Sequence, residues 1–216
     1  MPSRLRFSLA KAYAHLRAAD PVLAALIEEH GPYRPRPAMD HYDSLLRTIL
    51  FQQLAGAAAR SIQRRWLALY GDGPGGGEGR YPTPQELLAT TDEAFRGAGV
   101  SRQKAGYMRS LAEHVVAGDL DFAGIDALPD DEVTRRLVVV KGLGEWSAHM
   151  FLMFQLGRPD VLPIGDLGVR IGMGIAYGLD APPTPAQARA IGEPWAPYRS
   201  VASWYMWRAT EGPRTT

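Results

Sequence analysis

Apolar residues in this sequence recur at intervals of three and four, and no stretch of any length alternates them with polar ones. That period belongs to helices: side chains three or four apart share a helical face, whereas a strand puts every second residue on one side. Between Phe7 and Glu29 the residues Leu9, Tyr13, Leu16, Val22, Leu23, Leu26 and Ile27 follow it, with Asp20-Pro21 as a break or restart. From His41 to Tyr70 it predicts two helices joined around Leu54 to Ala57. Thr83 to Leu88 and Thr91 to Arg96 read as short helices with threonine caps, the first with Pro84 at N1. Ser101 caps a longer helix to Val116, closed by Gly118. Pro129 and Asp130 open a helix running to Val140, Glu145 to Leu156 forms an apolar one, Gly165-Asp166 starts another, and Trp195 to Trp207 closes the chain as an aromatic-rich helix. The pattern amounts to about ten helices, and the fold class it predicts is all-α. The valine run Val138 to Val140 is short and lies inside a helical period.

Prolines and glycines mark the connectors. Gly31 to Pro37 reads as extended chain, whose Arg34 and Arg36 either meet an anion or sit in water. Gly71 to Gly79 is a flexible loop and not a phosphate loop, since no Gly-Lys-Ser/Thr follows it and no buried strand precedes it. With 216 residues, 46% of them hydrophobic, the chain has enough apolar material for a real core. It has no cysteine, which excludes disulfides, thiolate-ligated zinc and any cysteine-held iron–sulfur cluster. A net charge of +1 means that a nucleic-acid partner must rest on a local basic face. No run approaches the ~18 apolar residues of a membrane helix, and Met1 to Ala10 lacks a signal-peptide pattern. The expectation is a soluble, intracellular monomer.

One stretch stands apart, Leu137 to Ala148, where Gly142 and Gly144 flank Leu143 and are followed by Trp146, Ser147 and a new apolar helix. Glycines so placed let the chain turn through conformations other residues avoid, and they leave backbone N–H groups bare at a helix start, where an anion can bind. A plain connection between two packed helices fits the same residues. Asp166, before Leu167-Gly168-Val169, reads on its own as an ordinary helix cap.

The order of motifs is more specific than any one of them. Val140-Lys-Gly-Leu-Gly-Glu-Trp-Ser-Ala148, an apolar helix, then Pro159-Asp-Val-Leu-Pro-Ile-Gly-Asp166 resembles the helix-hairpin-helix and following aspartate of the base-excision DNA glycosylase superfamily (HhH-GPD). Ile49-Leu-Phe-Gln-Gln-Leu-Ala55, Tyr81-Pro-Thr-Pro-Gln-Glu-Leu87 and Gly97-Ala-Gly-Val-Ser-Arg-Gln-Lys-Ala-Gly-Tyr-Met108 resemble further segments of its alkylation-repair branch, the 3-methyladenine DNA glycosylase II (AlkA) type. The likeness spans Asp40 to Trp207.

The resemblance implies a two-lobed helical fold with a DNA cleft between lobes: an N-terminal helical extension (1–39) packing on the core, a glycosylase core (40–210) with its hairpin at 137–148, and a loose tail (211–216). The mixed α/β domain that commonly precedes such a core is expected to be missing or minimal. Asp166 is implied as the catalytic carboxylate. Gly142, Leu143 and Gly144, with the amides leading into Trp146 and Ser147, would seat a DNA phosphate, Lys141 would add charge, and Ser147 would cap the second helix. The backbone carbonyls of Val138, Val140 and Leu143 would hold a Na+ or K+ ion. Relatives that also cut the strand carry a lysine where this chain has Trp146, so the implied enzyme is monofunctional and leaves an abasic site. Trp146, Met150, Trp204 and Trp207 are the implied base pocket, an indole face suiting a cationic alkylated purine. Core packing is the competing role for the tryptophans. Leu54 would wedge into the duplex and Gln53 would meet the orphaned base. The chemistry needs no cofactor. Two other functions stay open: a glycosylase for oxidised or deaminated bases, and a non-catalytic lesion sensor.

Overall fold

The structure, a computed structural model, describes residues 5–35, 37, 39–54, 56–72 and 79–212. Among them there are twelve α-helices and no strand. The chain forms two compact units, Met39–Phe151 and Met1–Ala38 together with Leu152–Thr216. No helix among the described residues is long and apolar enough to cross a membrane.

The discontinuous unit opens with α1 (Leu9–Ala19) and α2 (Pro21–His30), separated at Asp20-Pro21 as the sequence predicts. Asp20 makes that break useful. Its Oδ1 accepts from the Val22 and Leu23 amides at 2.9 and 3.4 Å, capping α2, while Oδ2 accepts from Trp195 Nε1 at 2.9 Å and from the Tyr177 hydroxyl. A buried carboxylate with four donors is a satisfied one, and it pins the start of α2 to residues more than 150 positions away. The same unit holds α10 (Leu167–Ala176), α11 (Pro185–Gly192) and α12 (Arg199–Ala209). Leu16, Leu23 and Ile27 share one core with Val169, Met173, Trp195, Val201, Tyr205 and Met206. The residues read from sequence as an N-terminal extension therefore build this core with the C-terminal helices. Gly172 lets α10 lie directly on α12, since a Cβ there would overlap the Met206 carbonyl.

The continuous unit runs through α3 (His41–Phe51), α4 (Gly56–Leu67), α5 (Pro84–Ala89), α6 (Asp92–Gly97), α7 (Arg102–Ala117), α8 (Asp130–Val138) and α9 (Glu145–Met150). Leu45, Leu46, Ile49, Leu50, Trp66, Leu87, Phe95, Met108, Leu111, Val133 and Leu137 are buried in it. Its caps are those the sequence announces: Thr83 and Glu86 form a capping box on α5, Thr91 caps α6, Ser101 caps α7, and Gly118 ends α7 in the left-handed region. Glu86 also binds Arg80, and these partners hold its carboxyl down at about 2.

Several boundaries differ from expectation. The last helix starts at Arg199 and not at Trp195, because Pro197 interrupts the run and only a short 3-10 turn, Glu193–Trp195, precedes it. The helix expected to reach Val140 ends at Val138. The run from Glu145 widens into a π-turn over Phe151–Gln155. The α11 helix escaped the sequence reading although its signal is present, Thr184 and Gln187 forming a second capping box around Pro185. Most of the Gly71–Gly79 loop, Arg36, Ala55 and the last four residues of the tail lie outside the described residues.

Candidate functional site

The hairpin sits in the continuous unit. After α8 the chain tightens through Val140 N–H to the Leu137 carbonyl (3.1 Å) and Leu143 N–H to the Val140 carbonyl (3.0 Å). Gly142 has φ +93°, and a Cβ on it would strike the Tyr107 ring of α7. Glycine is required there twice over, by conformation and by space. Leu143 is buried and fixes the turn in the unit, while Lys141 stays exposed. Gly144 then starts α9 with no side-chain hydrogen bond capping it. The expectation that Ser147 caps this helix is therefore corrected: Ser147 lies inside α9, 2% exposed, and its Oγ accepts from Gln52 Nε2 at 3.3 Å. Glu145, in the first turn, lies 3.8 Å from His149, whose imidazole burial pushes below its ordinary value. Trp146 is half-buried and Met150, one turn on, is buried.

The Val140 carbonyl accepts from Leu143 N–H at 3.0 Å. Among the described residues no three His, Asp or Glu side chains gather as a metal site.

The turn after α3 lies in the same unit. Gln53 has φ +55°, in the left-handed region, and Leu54 is 36% exposed. An exposed leucine at the tip of a strained turn is not the buried interhelical leucine that packing alone would ask for. Lys104 of α7 donates to the Leu50 and Gln52 carbonyls at 2.6 and 2.8 Å, and burial lowers its ammonium pKa.

The carboxylates belong to the other unit. Asp166 caps α10, its Oδ1 accepting from Val169 N–H at 2.7 Å and from Trp207 Nε1 at 3.0 Å. A Cβ on Gly168 would come within 3.0 Å of the Trp207 ring and 3.1 Å of Asp166 Oδ1. The missing side chain is what lets the indole reach the carboxylate. Trp207 also packs on Phe154, ring centroids 5.7 Å apart. Trp204 meets Tyr33 and Tyr205 edge-on and lies under Arg208, packed against the core of its unit. Asp160, the other carboxylate of the stretch that ends at Asp166, is bound by Arg199 through two hydrogen bonds of 2.7 Å, which join the Pro159–Val161 turn to the start of α12.

Sequence reasoning missed Gln52, Lys104, Tyr107 and the bond from Trp207 to Asp166. The three from the continuous unit act through backbone carbonyls or by filling space under a glycine, which leaves no motif beyond the Gln-Gln pair and the lysine in Ser101-Arg-Gln-Lys104.

A glycine hairpin that leaves α9 uncapped, and an aspartate downstream that caps α10, are features of one class. Residues 46–197 match the HhH-GPD superfamily of base excision DNA repair proteins, and the chain belongs to it. Among its relatives is DNA-3-methyladenine glycosylase 1 of Schizosaccharomyces pombe, 33% identical over 94% of this chain and 89% of the relative. The solved structure of a Schizosaccharomyces pombe 3-methyladenine DNA glycosylase (Mag1) in complex with abasic DNA matches at TM-score 0.85 and 32% identity, covering 95% of this chain and 99% of that one. A DNA-3-methyladenine glycosidase from Bacillus halodurans matches at TM-score 0.74 and 36% identity, over 92% and 88% of the two chains.

Proposed function

We propose that this protein is a monofunctional DNA glycosylase of base excision repair, which flips alkylated bases such as 3-methyladenine out of duplex DNA and hydrolyses the N-glycosidic bond. The observation that carries this reading is Asp166, held through Oδ1 by Val169 N–H and Trp207 Nε1 in a chain with an indole, Trp146, where strand-cutting relatives place an amine. Cleaving an N-glycosidic bond builds positive charge on the sugar. A preorganised carboxylate stabilises that charge more in the transition state than in the ground state, and it orients the attacking water. The departing base takes the bonding electrons, the water's oxygen bonds to C1′, and the water's proton passes to the Asp166 carboxylate and from there to solvent. Without an amine nucleophile no Schiff base forms, and the strand stays whole.

The supporting roles follow residue by residue. The amides after Gly142 and Gly144 take a phosphate, fixing position without reading sequence, and Lys141 adds its charge. The Val138, Val140 and Leu143 carbonyls would hold a Na+ or K+ ion, which would supply further positive charge to this phosphate site. Leu54 fills the gap left in the stack, with Gln53 toward the orphaned base. Trp146 and Met150 receive the extruded base. Trp207 positions Asp166, and Trp204 serves the core beside it.

A panel of duplexes tests this, each carrying one alkylated, oxidised or deaminated base, with base release scored before and after alkali. Release of the alkylated base, with breaks only after alkali, is expected. Breaks without alkali would overturn the hydrolytic mechanism, release confined to oxidised or deaminated bases would move the substrate class, and binding without release from any duplex would leave a lesion sensor.

A further inference from the structure

Two loops with different tasks, the hairpin and the turn carrying Leu54, are bound to each other and to one face of α7. Gln52 Nε2 donates to the Gly142 carbonyl at 2.9 Å and to Ser147 Oγ at 3.3 Å, so this residue of the wedge turn touches both sides of the hairpin. Lys104 Nζ donates to the Leu50 and Gln52 carbonyls at 2.6 and 2.8 Å, closing the end of α3 from below. Tyr107, one turn further along α7, fills the space under Gly142 and accepts from Gln103 Nε2 through its hydroxyl at 2.7 Å. Lys104 and Tyr107 are three residues apart and so share a helical face. The lysine meets the wedge turn and the tyrosine the hairpin. Gln53, in the left-handed region, follows the residue that is tied down on both its carbonyl and its side chain. A non-glycine residue persists there when its surroundings hold it.

We propose that Lys104 and Gln52 are positioning residues that fix the register of the wedge turn against the hairpin, so that a duplex held by its phosphate meets Leu54 already placed for insertion. The proposal rests on the glycosylase reading. Neither residue touches the substrate. Both act before the chemistry, on the step at which the base leaves the stack, and a loosened turn would leave Leu54 to find its place against the thermal motion of its own loop. A rigid arrangement spares that search, which is how preorganisation raises a rate without adding a contact.

This separates from a merely structural role through the substrate. Extruding a base from a sound pair requires breaking pairing and stacking, whereas a mispaired base is already loosened. Single-turnover excision is measured for an alkylated purine opposite its normal partner and opposite a mismatched base, using Lys104→Met, Gln52→Leu, Leu54→Ala and the double variant Lys104→Met/Leu54→Ala. Both positioning variants should lose about tenfold or more on the paired lesion and less than about threefold on the mispaired one, as Leu54→Ala should. The double variant should be no slower than the slower single, because both changes disable one step. Fluorescence of 2-aminopurine beside the lesion should lose its rise on binding in all four. Equal losses on both substrates, losses that multiply in the double variant, or wild-type rates throughout would overturn the brace. Gln52→Leu keeps the test open if Lys104→Met does not fold. Wild-type protein that releases no alkylated base would sink the glycosylase reading and the brace with it, whereas active wild type with unaffected variants would sink the brace alone.

Discussion

Two helices of this protein begin just after a glycine, and they treat their first turns in opposite ways. α9 follows Gly144, an N-cap residue that makes no side-chain cap hydrogen bond. α10 follows Gly165 and its cap Asp166, whose carboxylate takes the Val169 amide. Both starts present bare N–H groups and the positive end of the backbone dipoles. In the continuous unit, the proposed function gives that potential an anion from outside. In the discontinuous unit it fixes an anion of the protein's own. Under the proposed function, one backbone device would serve two needs, to hold a phosphate and to station a carboxylate where positive charge will develop.

Asp166 gives the largest effect and the cleanest break of the comparison. Asp166→Asn keeps an oxygen for Val169 N–H and Trp207 Nε1 but removes the charge, and Asp166→Ala removes both. Excision from alkylated duplex should fall about a thousandfold or more in each. Only the alanine variant should also lose about 1 kcal/mol of stability, the value of the cap. Chemical denaturation beside single-turnover kinetics distinguishes the two effects. Near-normal excision by folded Asp166→Asn would show that this carboxylate is a cap and nothing more.

The uncapped start is tested through Gly142. Gly142→Ala sets a Cβ against the Tyr107 ring at a backbone angle that L residues avoid. Strain and overpacking together should cost about 3 kcal/mol, read as a lowered denaturation midpoint with weaker duplex binding. Gly144 has φ −107°, and a Cβ there would meet nothing within 4 Å. Gly144→Ala should therefore be well tolerated. If the two alanines behaved alike, the hairpin would not depend on the Gly142–Tyr107 contact.

How much of this could be read in advance divides along the same line. The helices were legible because caps and apolar spacing are local: Thr83, Thr91, Ser101 and Gly118 each act within a few residues of themselves. The hairpin and Asp166 were legible as motifs whose order resembles a family. What escaped is what the fold assembles across distance. Trp207 lies 41 residues from the aspartate it contacts, and Lys104 lies 52 from the Gln52 carbonyl it caps. An amine on a carbonyl, or an indole on a carboxylate, selects a partner by geometry and leaves no spacing in the chain. Ser147 shows the converse. By type it suited a cap, yet Gly144 already starts the helix and the serine faces Gln52 instead.

Trp207 offers a smaller effect on the stationed carboxylate. Trp207→Phe retains a ring beside Phe154 and deletes the Nε1 donor, leaving Val169 N–H on Asp166 Oδ1. A carboxylate less firmly aimed should cut the excision rate about tenfold while the duplex dissociation constant stays within about twofold. A loss confined to binding would return Trp207 to the base pocket.

Lys141 should give the smallest change. It is exposed beside Gly142, where its charge adds to the amides of the uncapped start. If it contacts phosphate as proposed, its loss should weaken binding to damaged and undamaged duplex alike, because phosphates carry no sequence or lesion information. For Lys141→Gln, the slope of log affinity against log salt should become shallower by about 1, the signature of one fewer counterion released. Arg199→Gln is the matched control, since that arginine is spent on Asp160 within its own unit and its loss should leave the slope unchanged. An unchanged slope for Lys141→Gln would mean that the uncapped start holds its phosphate through backbone amides alone. The contrast with α10 would then become stricter, one anion held by main chain and the other held for main chain.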